Sequence, residues 1–243
     1  NSPTGMALDL QDRIYIVERG NHQILRINDP TGTGALTCGY GILQYPTTIA
    51  FDSAGKIYIA DNWNHRIVRI DNMNGDNMIA YGSGGSGIGQ FQYPTNVAID
   101  SDGKIYISDC WNGRIVRIDD MNGNGWISYG SFGTGSSQLN GPYGLAVAGN
   151  GQIYIGEWNT QDWESAWRLI RIDDMNGSGR VELGTLGNGI NQFSKIPNVT
   201  LGSDGYIYIC DWGNKRIVRI NDMSGNGWVS FSTGIGQCSI VVA

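Results

Sequence analysis

An all-β fold is what this sequence predicts: a β-propeller of four-stranded antiparallel blades, with five full repeats plus one extra C-terminal inner strand. Three observations carry the expectation. An Ile-Tyr-Ile run opens at Ile14, Ile57, Ile105, Ile153 and Ile207, and these starts lie 43, 48, 48 and 54 residues apart, a period that belongs to solenoids and propellers. Each run is followed by a short polar turn and a second apolar strand of the form Arg-Ile-Val-Arg-Ile, as at 66–70, 114–118 and 216–220. The composition is rich in Gly, Tyr, Trp and Ile, which suits short strands and tight turns better than helices.

Taken in order, each repeat opens with a Pro-led strand: Pro3–Asp9, Pro46–Asp52, Pro94–Asp100 and Pro142–Ala148, with Ile196–Gly202 as the fifth copy. Proline at a strand entrance removes no ladder hydrogen bond. A small residue sits at the centre of each (Ala7, Ala50, Ala98, Ala146, Thr200), as the crowded innermost strand of a radial blade requires. A turn such as Asp102-Gly103 or Asp204-Gly205 then leads into the Ile-Tyr-Ile strand. The third strand alternates, Ile115 and Arg117 against Arg114, Val116 and Ile118, so one face is expected to pack and the other to be partly polar. The fourth is clearest in Gly125–Tyr129 and Gly227–Phe231 and degenerate in Ala35–Cys38. Gly-rich connectors, such as Gly82–Phe91, return the chain from the outer edge to the axis.

The repeats run end to end, so residues 1–243 are expected to form a single domain. A net charge of −6 without any basic stretch disfavours a nucleic-acid surface, which needs cations for the phosphates. No apolar run reaches the length of a membrane span. The chain starts Asn-Ser-Pro with no apolar leader, as after signal-peptide removal or trimming. Cys38, Cys110, Cys210 and Cys238 lack the close paired spacing of a zinc site. The acidic, Asn- and Gly-rich surface leads us to expect a secreted or periplasmic protein.

The repeat resembles the NHL-repeat family, named for an Asn-His-Leu-type triplet after the second strand. Here the triplet reads Asn21-His22-Gln23, Asn64-His65-Arg66, Asn112-Gly113-Arg114 and Asn214-Lys215-Arg216. The resemblance implies a funnel-shaped propeller, usually of six blades. An incomplete six-bladed ring is therefore the alternative to five blades. It also implies a range of roles: protein- and RNA-binding platforms, sensor domains and, in related families, lyases or lactonases.

Four constellations are candidates for chemistry. An acidic residue and an arginine recur together (Asp61 with Arg66, Asp109 with Arg114, Asp211 with Arg216, Glu157 with Arg168, and Glu18 with Gln23); repetition in every blade points to an ion pair locking the turn. The turns beginning Asp29, Asn72, Asp120, Asp174 and Asp222 resemble the start of an EF-hand loop, yet they offer too few carboxylates for calcium and read as Asx turns. Lactonase-like propellers hold a metal through Glu, Asn and Asp at inner strand ends, but Asn96 and Asn198 have no inner-strand Glu beside them, and His22 and His65 are the two histidines. No catalytic residue, metal or cofactor is expected.

The fourth constellation is aromatic. Trp63, Trp111, Trp158 and Trp212 follow the acidic position by one or two residues, which gathers them at one end of their blades. An insertion in the fourth repeat adds Trp163 and Trp167 in a polar stretch, where amphipathic rings are the material of contact surfaces. The expected function is a non-catalytic interaction scaffold that binds a protein partner or copies of itself through these six tryptophans. A glycan-binding, lectin-like propeller is one alternative and a metal-dependent lactonase or lyase the other. The terminal strand Ser239, Ile240, Val241, Val242, Ala243 is β-branched and uncharged. It suits either strand donation to another copy or a clasp onto blade 1, helped by a Cys38–Cys238 bridge.

Overall fold

In blades 2, 3 and 4 the Ile-Tyr-Ile runs are strands buried on both faces. Ile57, Tyr58, Ile59 and Ala60 are all buried, as are Ile105, Tyr106 and Ile107; each fully buried isoleucine contributes about 1.5–3 kcal/mol. Tyrosine fits the centre of such a strand because its hydroxyl can leave the apolar layer. The Tyr58 hydroxyl donates to the Asp52 carboxylate at 3.2 Å, Tyr106 to Asp100 at 3.2 Å and Tyr15 to Asp9 at 3.1 Å. Burial pushes the Tyr58 and Tyr106 hydroxyls up to about 12.

The computed structural model describes residues 2–158, 167–234 and 239–240. Over these the chain is an all-β, five-bladed propeller of four-stranded antiparallel sheets. Blade 1 is Pro3–Leu8, Ile14–Glu18, Gln23–Ile27 and Leu36–Cys38. Blade 2 is Ile49–Phe51, Ile57–Asp61, Arg66–Ile70 and Ile79–Tyr81. Blade 3 is Pro94–Ile99, Ile105–Asp109, Arg114–Ile118 and Ile127–Tyr129. Blade 4 is Pro142–Val147, Ile153–Glu157, Leu169–Ile172 and Val181–Leu183. Blade 5 is Asn198–Leu201, Ile207–Asp211, Arg216–Ile220 and Val229–Ser232.

The chain divides into two compact units, 1–107 with 117–126 and 108–116 with 127–242, so the boundary passes through blade 3. The core of the first unit gathers Val17, Ile24, Leu43, Ile59 and Val68. That of the second gathers Leu169, Phe193, Ile196, Ile209 and Val218. Backbones approach closely between blades: a Cβ on Gly156 would lie 2.6 Å from the Ile196 carbonyl oxygen, so only glycine fits at the end of that strand.

The C-terminal expectations fare differently, the strand falling mostly outside the described residues and the Cys38 bridge being corrected. Five four-stranded sheets are present among the described residues; of the expected extra inner strand, Ser239 and Ile240 belong to no strand, and Val241, Val242 and Ala243 lie outside the described residues. Ile240 is held by side chains instead of a ladder. Its N–H donates to Asn198 Oδ1 at 3.4 Å and its carbonyl accepts from Thr200 Oγ1 at 2.9 Å, both on the inner strand of blade 5. The Cys38–Cys238 bridge does not form, since Cys38 is a free thiol and Cys210 is disulfide-bonded.

Candidate functional site

The repeated acid–arginine pairs are clamps. In blade 2 the strand register sets Asp61 opposite Arg66. Asp61 is fully buried, and its Oδ2 accepts from Arg66 Nε at 2.7 Å and Asn64 Nδ2 at 2.9 Å, while Oδ1 accepts the Gln44 N–H at 2.6 Å. Asp211 does the same with Arg216 (2.8 Å), Asn214 (2.8 Å) and the Ser194 N–H (2.7 Å). Glu157 takes Arg168 through Nε and Nη2 at 2.8 and 3.1 Å, and the Asn140 N–H at 2.8 Å. Burial pushes the Glu157 carboxyl up, against the opposing pull of Arg168. In blade 1 Glu18 accepts from Gln23 at 2.6 Å, a neutral version of the same tie. In blades 2, 4 and 5 the carboxylate also ties these strands to the preceding connector, so its lone pairs are already committed.

The acidic turns are likewise occupied by themselves. Asp120 Oδ1 accepts the Asn122 N–H at 2.8 Å and Oδ2 the Asn124 amide at 2.8 Å, a bonding pattern that draws its carboxyl below the ordinary range, the Asn124 side chain most of all. The glycine of this turn has a packing reason: a Cβ on Gly123 (φ +80°) would sit 2.0 Å from the Tyr81 hydroxyl of blade 2. The methionine beside it, Met121, is buried. Among the described residues no three His, Cys, Asp or Glu side chains are grouped to hold a metal ion.

The tryptophans separate into three kinds. Trp63 and Trp111 are 50% and 55% exposed. Each is the middle residue of a one-turn 3-10 helix, Asn62–Asn64 or Cys110–Asn112, closed by a left-handed residue, His65 or Gly113. Trp158 and Trp212 are half-buried and adjacent, ring centres 5.3 Å apart, with Tyr143 stacked on Trp158 at 5.0 Å. The Lys195 ammonium lies over both indoles at 5.0 and 4.5 Å, and burial there pushes it below the ordinary lysine value. Trp167 is the correction: it is only 2% exposed and belongs to the core cluster with Leu183, Phe193 and Ile196. His22, His65, Gly113 and Lys215 precede their third strands in the left-handed region, whereas the Trp167 ring, ahead of the third strand of blade 4, is buried in the core. It is not available to a partner. Trp163 lies outside the described residues.

The structure brings in residues the sequence reading passed over. Trp63 lies between Tyr45, at 4.5 Å, and Tyr93, at 6.4 Å. His22 meets the edge of Tyr45 at 4.4 Å and His65 that of Tyr93 at 4.6 Å. Both tyrosines stand immediately before a strand-entry proline and have positive φ, 46° and 54°; Ser2, Gly141 and Lys195 occupy the same place in their repeats and are left-handed too. A non-glycine residue held there costs about 1–3 kcal/mol. The surrounding bonds hold it: the N–H groups of Tyr45 and Tyr93 donate to Nδ1 of His22 at 3.0 Å and of His65 at 3.1 Å. Accepting at Nδ1 puts the proton of the neutral rings on Nε2. The available signal was an aromatic next to the strand-entry prolines of blades 2, 3 and 4, Tyr45, Tyr93 and Tyr143.

The NHL repeat model matches residues 43–70 and 91–118. No curated protein matches the sequence. Among solved structures, a chain of a nidogen/laminin complex superposes with a TM-score of 0.73 at 19% identity, over 97% of this chain and 86% of that one. A virginiamycin B lyase from Staphylococcus aureus gives 0.64 at 16% identity, over 95% and 69%. A gluconolactonase from Xanthomonas campestris gives 0.69 at 12% identity, over 98% and 77%. At such identities the likeness shows the fold alone.

Proposed function

We propose that this chain, which carries NHL repeats in a five-bladed β-propeller, is a non-catalytic binding platform whose ligand is another protein. The observation that carries this reading is the exposure of Trp63 and Trp111, about half of each ring, on turns that are clamped by buried ion pairs. Rings already fixed in place lose little freedom on contact, and Trp and Tyr dominate the energetics of protein interfaces. In the first unit Tyr45 and Tyr93 widen the Trp63 surface; in the second, Trp158 and Trp212 form a further ring surface beside Lys195.

A glycan is the second reading, because indole faces stack on sugar rings and Asn64 and Asn112 flank the two exposed tryptophans. It stands behind the first because blade 1 carries Arg19-Gly20 at this place, with the Arg19 guanidinium over Tyr45 at 5.6 Å; a multivalent lectin repeats its pocket in every blade. Against the lactonase or lyase reading, both histidines are tied to backbone N–H groups through Nδ1. Secretion or a periplasmic location is proposed alongside, supported by the Cys210 disulfide, since such bonds persist in oxidising compartments. Self-assembly through the terminal strand is the weaker proposal, because the N–H and carbonyl of Ile240 are both bonded within its own chain.

The test is paired capture from the extracellular fraction of the source cells, with wild type and a Trp63→Ala, Trp111→Ala double variant as bait, beside a glycan array. A protein retained by wild type and lost by the double variant, with no glycan bound, is the expected result. Equal retention by both baits, or saturable glycan binding that the double variant loses, overturns the protein reading.

A further inference from the structure

Four connectors lead from one blade to the next, and one of them is short. From the connector's first glycine to its apolar anchor is nine residues in Gly82–Phe91, Gly130–Leu139 and Gly184–Phe193, but only four in Gly39–Leu43. The long connectors fold back on themselves, through parallel pairing of Ser83–Gly84 with Gln90–Phe91 and of Thr185–Leu186 with Gln192–Phe193, and a Phe132–Leu139 bridge. They cover the clamp arginine below them. Arg216 donates to the carbonyls of Asn188 (2.7 Å), Gly189 (3.1 Å) and Gln192 (2.7 Å), and its side chain is 13% exposed. Under the short connector, Arg66 donates to one carbonyl, that of Ile42 at 2.9 Å, and its side chain is 25% exposed.

The five missing residues leave a cavity of about 480 Å³, lined by His22, Tyr40, Ile42, Gln44, Asn64 and Arg66 among others. That volume is in the range of small-molecule sites. Arg66 is the one charged residue lining it among the described residues. Its Nε is taken by Asp61 and its Nη2 by Ile42, while no described protein group accepts from Nη1. Tyr40, 82% exposed, and Ile42, 43% exposed, supply an apolar wall. His22 adds a second donor, because its Nδ1 already accepts the Tyr45 N–H and the neutral ring therefore carries its proton on Nε2.

We propose that this cavity binds small carboxylates with a flat ring body, the carboxylate on Arg66 and the ring against Tyr40 and Ile42. A planar, singly charged group matches the edge of a guanidinium. A dianion is disfavoured, because the Asp61 carboxylate lies 2.7 Å from the other edge and the chain carries a net charge of −6. The site stands on blade 1 and blade 2 residues of the first unit and does not depend on the ligand of the tryptophan surface.

The experiment is titration of the intact protein with phenylacetate, followed by NMR shifts and by calorimetry, with phenylacetamide and inorganic phosphate as comparisons. Saturable one-site binding of phenylacetate is expected, with phenylacetamide weaker by about tenfold on loss of the charge-assisted bonds. The decisive variant replaces Gly39–Gln44 with the sequence of Gly82–Gln92, which should cap Arg66 and abolish binding. Should that graft fail to fold, Tyr40→Ser with Ile42→Ser, both at exposed positions, should weaken binding several-fold with melting unchanged. No saturation, equal binding of phenylacetamide or phosphate, or full binding by the folded graft or the double serine variant overturns the proposal.

Discussion

Replacing Trp167 with alanine should be among the most damaging single changes in the chain, although the residue lies in a polar stretch beside other tryptophans. Its ring is 2% exposed within the cluster that holds Leu169, Leu183, Phe193 and Ile196. Its Nε1 has no hydrogen-bond partner among the described residues, so the expected loss is one of packing. Truncating a buried tryptophan to alanine costs about 3–5 kcal/mol. For a chain of this length each kcal/mol moves the melting temperature by about 2–4 °C, which gives a fall of about 6–20 °C. Trp111→Ala removes a ring that is 55% exposed and should cost less than about 1 kcal/mol. Scanning calorimetry on the two variants side by side measures the difference. Equal melting temperatures, or a larger loss for Trp111→Ala, would refute the assignment of Trp167 to the core and Trp111 to the surface.

Three further outcomes follow from the geometry. Asp61→Ala strands Arg66 and the Gln44 N–H and should destabilise the fold by about 3 kcal/mol, the low end of the range for a broken buried pair because Arg66 is a quarter exposed; urea unfolding reads this directly. The hydroxyls of Thr31 and Thr33 hold the Asp29 carboxyl down at about 2, below its ordinary 3.8. A depressed acid stabilises the fold above its unfolded value and loses that contribution as pH falls from 3.8 through about 2, so an NMR titration should place Asp29 near 2 in wild type and close to 3.8 in a Thr31→Val, Thr33→Val variant. In the native protein Cys110, fully buried and with its thiol pushed up by desolvation, should resist alkylation until the chain unfolds, a result that mass spectrometry of iodoacetamide-treated protein would show or contradict.

The strands were legible because repetition fixed them. An Ile-Tyr-Ile run that recurs five times, each with a Pro-led strand before it and an Arg-Ile strand after, admits one blade pattern. The acid–arginine clamp was legible for the same reason, since packing between blades demands the same residues each time. What breaks the repeat was read poorly. Trp167 stands at the end of an insertion that the other blades lack, so the repeat does not set which way its ring turns. Ile240 follows the fifth repeat and is bonded by Thr200 and Asn198 side chains, contacts that periodicity does not encode. The partners of Trp63 were hidden differently: Tyr45 and Tyr93 lie 18 residues before it and 30 after it in the chain, and only the packing of one blade against the next brings them together.

The central claim, that the exposed tryptophan turns are the working surface, is tested most directly by placing a benzoylphenylalanine photo-crosslinker at position 111 and, in a second protein, at Asp102 in the first hairpin of the same blade. Asp102 is also exposed to solvent but stands on the turn at the other end of the Ile105–Asp109 strand. Irradiation in the extracellular fraction should give a discrete protein adduct from position 111 and none from position 102. Adducts of equal yield from both positions, or from position 102 alone, would contradict the account.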